Sequence, residues 1–144
     1  MNTFKIIPLL LCSILLSSLT SFGQTRNVDL TVRGIEEIEG QLVVLVFEKK
    51  EDFPKDQKLA RNFKFPVTKK EMTVSLKGLP AQDCAIMIYH DKDNNHKCNR
   101  NFIGIPTEKI GFSNNIRPKT KVPKFEDARV PAGVTKITVE LYKF

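Results

Sequence analysis

CAIMIYHDKDNNHKCNRN, residues 84–101, decides how this chain is read. Its opening residues, 84–90, form an apolar run too short for a stable helix. They are therefore predicted as a strand covered on both faces. The polar run that begins at Asp91 is then a loop mounted directly on the end of a buried strand. Working outward, QLVVLVFE at 41–48 is a second two-sided apolar run and a second central strand. Val28, Leu30 and Val32 alternate with polar neighbours, as do Phe63, Phe65 and Val67, and then Met72, Val74 and Leu76. That two-residue period marks strands with one face buried.

Gly34, Gly40, the Thr68-Lys69-Lys70 segment and Gly78-Leu79-Pro80 supply the turns between these runs. A short strand is expected within 125–130, and a closing one carries Ile137, Val139 and Leu141 on one face. The connection KKEDFPKDQKLARN, 49–62, has little apolar content and is expected to be mobile, with one helical turn near 57–61. Gly104, Pro106, Gly111, Pro118 and Pro123 make 102–124 an ordered but irregular excursion. About seven short strands without a helical period predict an all-β fold, an antiparallel Greek-key sandwich of immunoglobulin-like or transthyretin-like type. A small β-barrel is the alternative.

At the front of the chain, MNTFK carries one positive charge and IIPLLLCSILLSSL is an apolar run short for a bilayer span. Ser21 and Gly23 place small side chains where a signal peptidase requires them, so residues 1–23 are expected to be a cleaved export signal. Leu11, before Cys12, is too bulky for a lipidation site. The mature chain, 24–144, has the size of one domain and is expected to be secreted or periplasmic, with no membrane span. Its basic balance, +7 for the whole chain, is spread over pairs such as Lys49-Lys50 and Lys69-Lys70 and over Arg117 to Lys124. Aromatic residues are not interleaved with these charges, so nucleic acid is not an expected partner. A solvated basic face, or attraction to an anionic surface or glycan, is.

The chemistry concentrates after His90. Asp91, Asp93, Asn95 and Asn99 stand at positions 1, 3, 5 and 9 of a loop whose position 7, Lys97, would offer a backbone carbonyl. Calcium loops use this spacing because alternate residues of a tight turn point inward. Position 6 is His96 in place of glycine, and position 12 is Phe102 in place of the closing glutamate. Such a site is weak unless Glu108 folds back as a further ligand. The plainer reading is that Asp and Asn are simply good turn formers.

A third reading takes Cys84, His90, His96 and Cys98 as zinc or copper ligands. It competes with a Cys84–Cys98 disulfide, the first expectation for two cysteines in an exported chain, which would contribute about 3 kcal/mol. No nucleophile elbow, phosphate-binding glycine loop or dinucleotide fingerprint is present, and His90 and Asp91, adjacent on a strand, should face opposite ways. An enzyme is not expected.

HDKDNNHKCNRNFIGIPTEKIGFSNN, 90–115, with GLPAQDCAI before it and PKFEDARV after it, resembles the secreted bacterial family called domain of unknown function 2141. The resemblance covers nearly all of the mature chain. It implies an extracytoplasmic β-sandwich from a Gram-negative bacterium of the Bacteroidetes type, with no established activity. The family pattern is H-D-x-N-x-N-G-x-x-D-x-N followed by G-x-P-x-E-x-x-G-F-S-N-N. His90, Asp91, Asn95, Asn101, Gly104, Pro106, Glu108 and the Gly111 to Asn115 run fit it, whereas Asp93 replaces an amide and Asn99 an acid. His96 stands on the glycine position, Cys98 on an apolar one and Cys84 on a commonly aromatic one, so the cysteines resemble a paired addition.

The sequence therefore predicts a secreted, non-enzymatic sandwich whose 91–115 loops, organised by calcium, bind a glycan, peptide or envelope partner. The alternatives are a metal-handling or catalytic protein built on the histidines and cysteines, and a purely structural envelope component.

Overall fold

The computed structural model describes residues 23–119 and 121–144; the export segment expected at 1–23 lies, but for Gly23, outside them. Eight strands follow in order: β1 Thr25–Arg33, β2 Gln41–Phe47, β3 Arg61–Pro66, β4 Met72–Pro80, β5 Cys84–Asp91, β6 Ile110–Phe112, β7 Arg129–Val130 and β8 Lys136–Glu140. Short 3-10 turns occupy Gln57–Leu59 and Ser113–Asn115. The strands form two sheets, ordered β4-β1-β8 and β3-β2-β5-β6, with β7 also paired to β5. The fold is an all-β sandwich and not a closed barrel. No helix among the described residues is long and apolar enough to cross a membrane.

The pairing is antiparallel except between β1 and β8, which run parallel from Asp29 opposite Lys136 to Arg33 opposite Glu140. Periodicity identifies each strand's buried face but not which distant strand lies beside it, so this neighbour is set by packing of the whole chain.

The inner core lies between the sheets. Val28, Leu30 and Val32 of β1, Leu42, Val44 and Val46 of β2, and Cys84, Ile86 and Ile88 of β5 fill it. The alternate residues of the central strands face the other way and make a second core: Val43, Leu45 and Phe47 of β2 with Ala85, Met87 and Tyr89 of β5. Ile110 and Phe112 of β6 extend this face beside β5, and Phe53, Phe125 and Ala128 cover it from outside. The two-sided apolar runs thus have a direct cause: a layer of irregular chain lies over the outer face of the five-stranded sheet, so β2 and β5 are wrapped on both sides.

The polar connection after β2 is pinned into that layer, contrary to the expectation of mobility. Phe53 is buried, with its ring edge-on to Phe47 at 5.2 Å and to Phe112 and Phe125 at 6.1 Å each.

Candidate functional site

β5 aims Met87, Tyr89 and Asp91 at the outer face, and Asp91, the last of them, is completely buried. Its carboxylate is met from two directions. Oδ2 accepts from Gln41 Nε2 at 2.7 Å and from the His96 backbone N–H at 3.0 Å, and Oδ1 accepts from the Asn95 N–H at 3.1 Å. Gln41 is placed there by strand register, because the first residue of β2 stands opposite the last residue of β5. Gly40, at φ 63°, makes room beside it: a side-chain carbon there would run into the Asp91 carbonyl and sit 2.7 Å from Lys92 Cα.

The loop then winds tightly. Asn94 and His96 both take positive φ, 56° and 63°. The turn that a glycine at position 6 would favour therefore forms with a histidine, held by Nδ1 at 2.7 Å from Gln41 Nε2. Asp93 Oδ2 accepts from the side-chain amides of Asn95 at 2.8 Å and Asn99 at 3.0 Å, and those amides also bond each other at 2.8 Å. The Lys97 N–H caps Asn95 Oδ1 at 2.8 Å.

Glu108 does fold back. It is buried, with Oε1 accepting from the Lys92 N–H at 3.2 Å and Oε2 from the Asn99 N–H at 3.1 Å. It thereby joins the two ends of the loop. One carboxylate oxygen from each of Asp91, Asp93 and Glu108 lies within 4.8 Å of the others. Two oxygens bound at about 2.4 Å on either side of a calcium ion are at most about that far apart.

The electrostatics match this crowding. Burial, and after it the charges of Asp91 and Asp93, push the Glu108 carboxyl above its ordinary range, although the two N–H donors pull the other way. The Asn99 amide beside Asp93 holds that carboxyl below its usual value. Burial, with Asp91 next, pushes the Tyr89 hydroxyl up to about 12. Lys92, the nearest basic residue in sequence, turns away to Glu37 and Glu39. No Lys or Arg among the described residues forms an ion pair with any of the three carboxylates; His96 Nδ1, 3.7 Å from Asp91 Oδ2, is the sole side chain able to do so when protonated.

The alternative metal set does not assemble. Cys84 points into the inner core beside Arg26, at 3.5 Å, whereas Cys98 packs against the outer core near Tyr89. Five residues of strand, about 16 Å, and the thickness of the sheet separate the two regions, far more than a disulfide spans. Both thiols are free, and the disulfide expected from the sequence is absent. His90 bonds the Glu39 carbonyl at 2.8 Å on the inner side, away from Asp91, as alternation predicted.

The GFSNN run has a different role again. Ser113, buried, accepts from the Ile86 N–H at 3.0 Å and donates to the Ala128 carbonyl. Asn114 Nδ2 donates to the carbonyls of Asp127 and Arg129 at 3.0 Å. Asn115 Oδ1 accepts from the Glu140 N–H at 2.7 Å while its Nδ2 donates to the Thr138 carbonyl at 3.3 Å. These three side chains tie the outer layer to β5, β7 and β8 where no sheet ladder can.

A family model described as "Uncharacterized protein conserved in bacteria (DUF2141)" matches residues 30–140, which span both sheets, the loop and the GFSNN knot. The chain belongs to this family. No curated protein and no solved structure matches it. Within this DUF2141 domain, then, Asp91, Asp93, Asn95, Asn99 and Glu108 come together at one end of the sheet, while Lys97 contributes a backbone N–H to the loop. Gln41 and Gly40 belong to the same assembly. The one sequence sign of Gln41 is a polar residue opening an otherwise apolar run.

Proposed function

We propose that this DUF2141 domain is an exported, non-enzymatic binding module whose loop end, residues 91–115, is organised by a divalent cation, calcium first, and presented to a glycan, peptide or other envelope partner. One observation carries the reading: two buried carboxylates and a third exposed one converge within 4.8 Å without a Lys or Arg to neutralise them. Buried like charges are costly unless a counter-ion offsets them, and a hard cation accepts an all-oxygen set.

The Asn95 and Asn99 amides now face Asp93 with their NH2 groups. Half a turn about the last side-chain torsion presents their oxygens, so the same scaffold can satisfy the carboxylates with N–H groups or share them with an ion. With three acids and two amides, affinity should fall in the submillimolar to millimolar range of extracellular modules. The sheet beneath supplies stability, which leaves the loops free to specialise.

Calorimetric titration of the protein with calcium chloride tests this. A saturable heat with a dissociation constant near 1 mM is expected. Asp93→Asn, at an exposed position that leaves the fold intact, should weaken binding at least about tenfold. If neither heat nor melting temperature responds to about 10 mM calcium, the loop is a turn and nothing more.

A further inference from the structure

The outer layer borders a half-open cavity of about 320 Å³ that the three carboxylates do not line. Its floor is the outer face of the five-stranded sheet, at Met87, Ile110 and Phe112. Ile105, Val122 and Phe144 form much of its walls. That volume and apolar lining are within the range of small-molecule sites.

The charged side chains of the lining are all of one sign. Arg100, Lys119 and Lys121 line the cavity and no acidic residue does. The adjoining surface continues with Arg117 and Lys124, against Asp127 alone. Among the described residues Arg100, Lys119 and Lys121 enter no ion pair, and Arg100 is positioned by donating to the Gly104 carbonyl at 2.9 Å. Val122 and Phe144 keep 65% and 47% of their surface exposed. The turn joining Arg100 to Gly104 carries Phe102 and Ile103, exposed at 99% and 64%, so four of the six most exposed large apolar residues belong to this region. Solvent-facing apolar side chains gathered in one place, and not scattered, mark a binding surface.

We propose that this cavity binds an amphiphile with an acyl chain and an anionic headgroup, the chain lying over Met87, Ile110 and Phe112 and the head held by Arg100, Lys119 and Lys121. The apolar lining favours the chain whatever its head. The unneutralised cations then select a carboxylate or phosphate over a neutral or positive group. The site does not require the loop to hold a cation. With residues 91–115 it shares Ile110 and Phe112 of the floor and the Arg100 to Pro106 wall, and that wall is closed by its own contacts: Asn101 N–H to the Ile105 carbonyl at 2.9 Å and Thr107 N–H to the Asn99 carbonyl at 2.8 Å.

Calorimetric titrations with monomeric decanoate, decyl maltoside and decyltrimethylammonium, all in EDTA, test the assignment independently of calcium. Decanoate should bind at least tenfold tighter than either of the others. Lys119→Glu combined with Lys121→Glu should lower decanoate affinity at least tenfold with the melting temperature unchanged, and Ile105→Asn should weaken all acyl ligands together. Equal affinity for the three head groups, or decanoate binding indifferent to the charge reversal, overturns the proposal. A parallel arm uses phosphatidylglycerol and phosphatidylcholine vesicles. Capture by phosphatidylglycerol together with monomer binding identifies bilayer lipid as a source of the ligand. Capture without monomer binding means a surface attraction and overturns the cavity assignment.

Discussion

Truncation of Phe53 to alanine measures how much the outer layer contributes. Phe53 sits in a polar connection, yet its ring is buried and edge-on to Phe47, Phe112 and Phe125. A buried phenylalanine removes on the order of 150–250 Å² from water, worth about 4–6 kcal/mol as an upper bound. Measured Phe-to-Ala costs in cores fall at about 3–5 kcal/mol, and the aromatic contacts place this one near 4 kcal/mol. Against a total of about 5–15 kcal/mol for a domain of this size, that is a large share.

The chain has no tryptophan, so urea unfolding is best followed by far-ultraviolet circular dichroism. With an m value of about 1.5 kcal/mol/M, the midpoint should fall by roughly 2–3 M. Leu59, exposed in the same connection, is the internal control: Leu59→Ala should change stability by less than about 0.5 kcal/mol. A loss below about 1 kcal/mol for Phe53→Ala, no greater than a surface change, would refute the argument that the connection is fastened to the sheet.

Gly40→Ala combines a positive φ with a collision against the Asp91 backbone, and should cost at least about 2 kcal/mol, checked by the same urea series. Ser113→Ala strands the buried Ile86 N–H and should cost about 1–3 kcal/mol, read most directly from faster hydrogen exchange at that amide. Burial raises the Cys98 thiol to about 11, and a raised thiol pKa means less thiolate at any lower pH. Alkylation of native Cys98 should therefore stay slow at pH 9 and climb toward pH 11, whereas the unfolded protein should already react near pH 9; equal rates in the two states contradict the burial.

Both central strands were legible because their residues are apolar at odd and even positions alike, and such a run has few other homes in a chain without helical period. The reason for it was not legible. Phe53 is a single aromatic in a polar string, and nothing local says that Phe112 and Phe125 will meet it. The parallel partnership of β1 and β8 is likewise a matter of distant packing.

At the loop, the odd-numbered spacing singled out Asp91, Asp93, Asn95 and Asn99, which hydrogen bonds join in one turn, and Glu108 folds back onto them from further along the chain. Gln41 could not be paired with Asp91 without the register of β2 on β5. The cysteines misled because spacing along the chain carries no record of which face of a strand each thiol takes.

β5 acts as a bulkhead. Ile86 and Ile88 project to one side of it, Met87, Tyr89 and Asp91 to the other, and its backbone is common to both. Disturbance in one compartment must cross a sheet whose two surfaces are separately filled. Side chains of the cover that make no contact with the sheet can therefore be rewritten while the packing between the two sheets keeps its own contacts. A ligand taken up on the near side would be felt as tightening of that cover and, through the bonds of Asn115, at β8, and scarcely at all at β1 or β4.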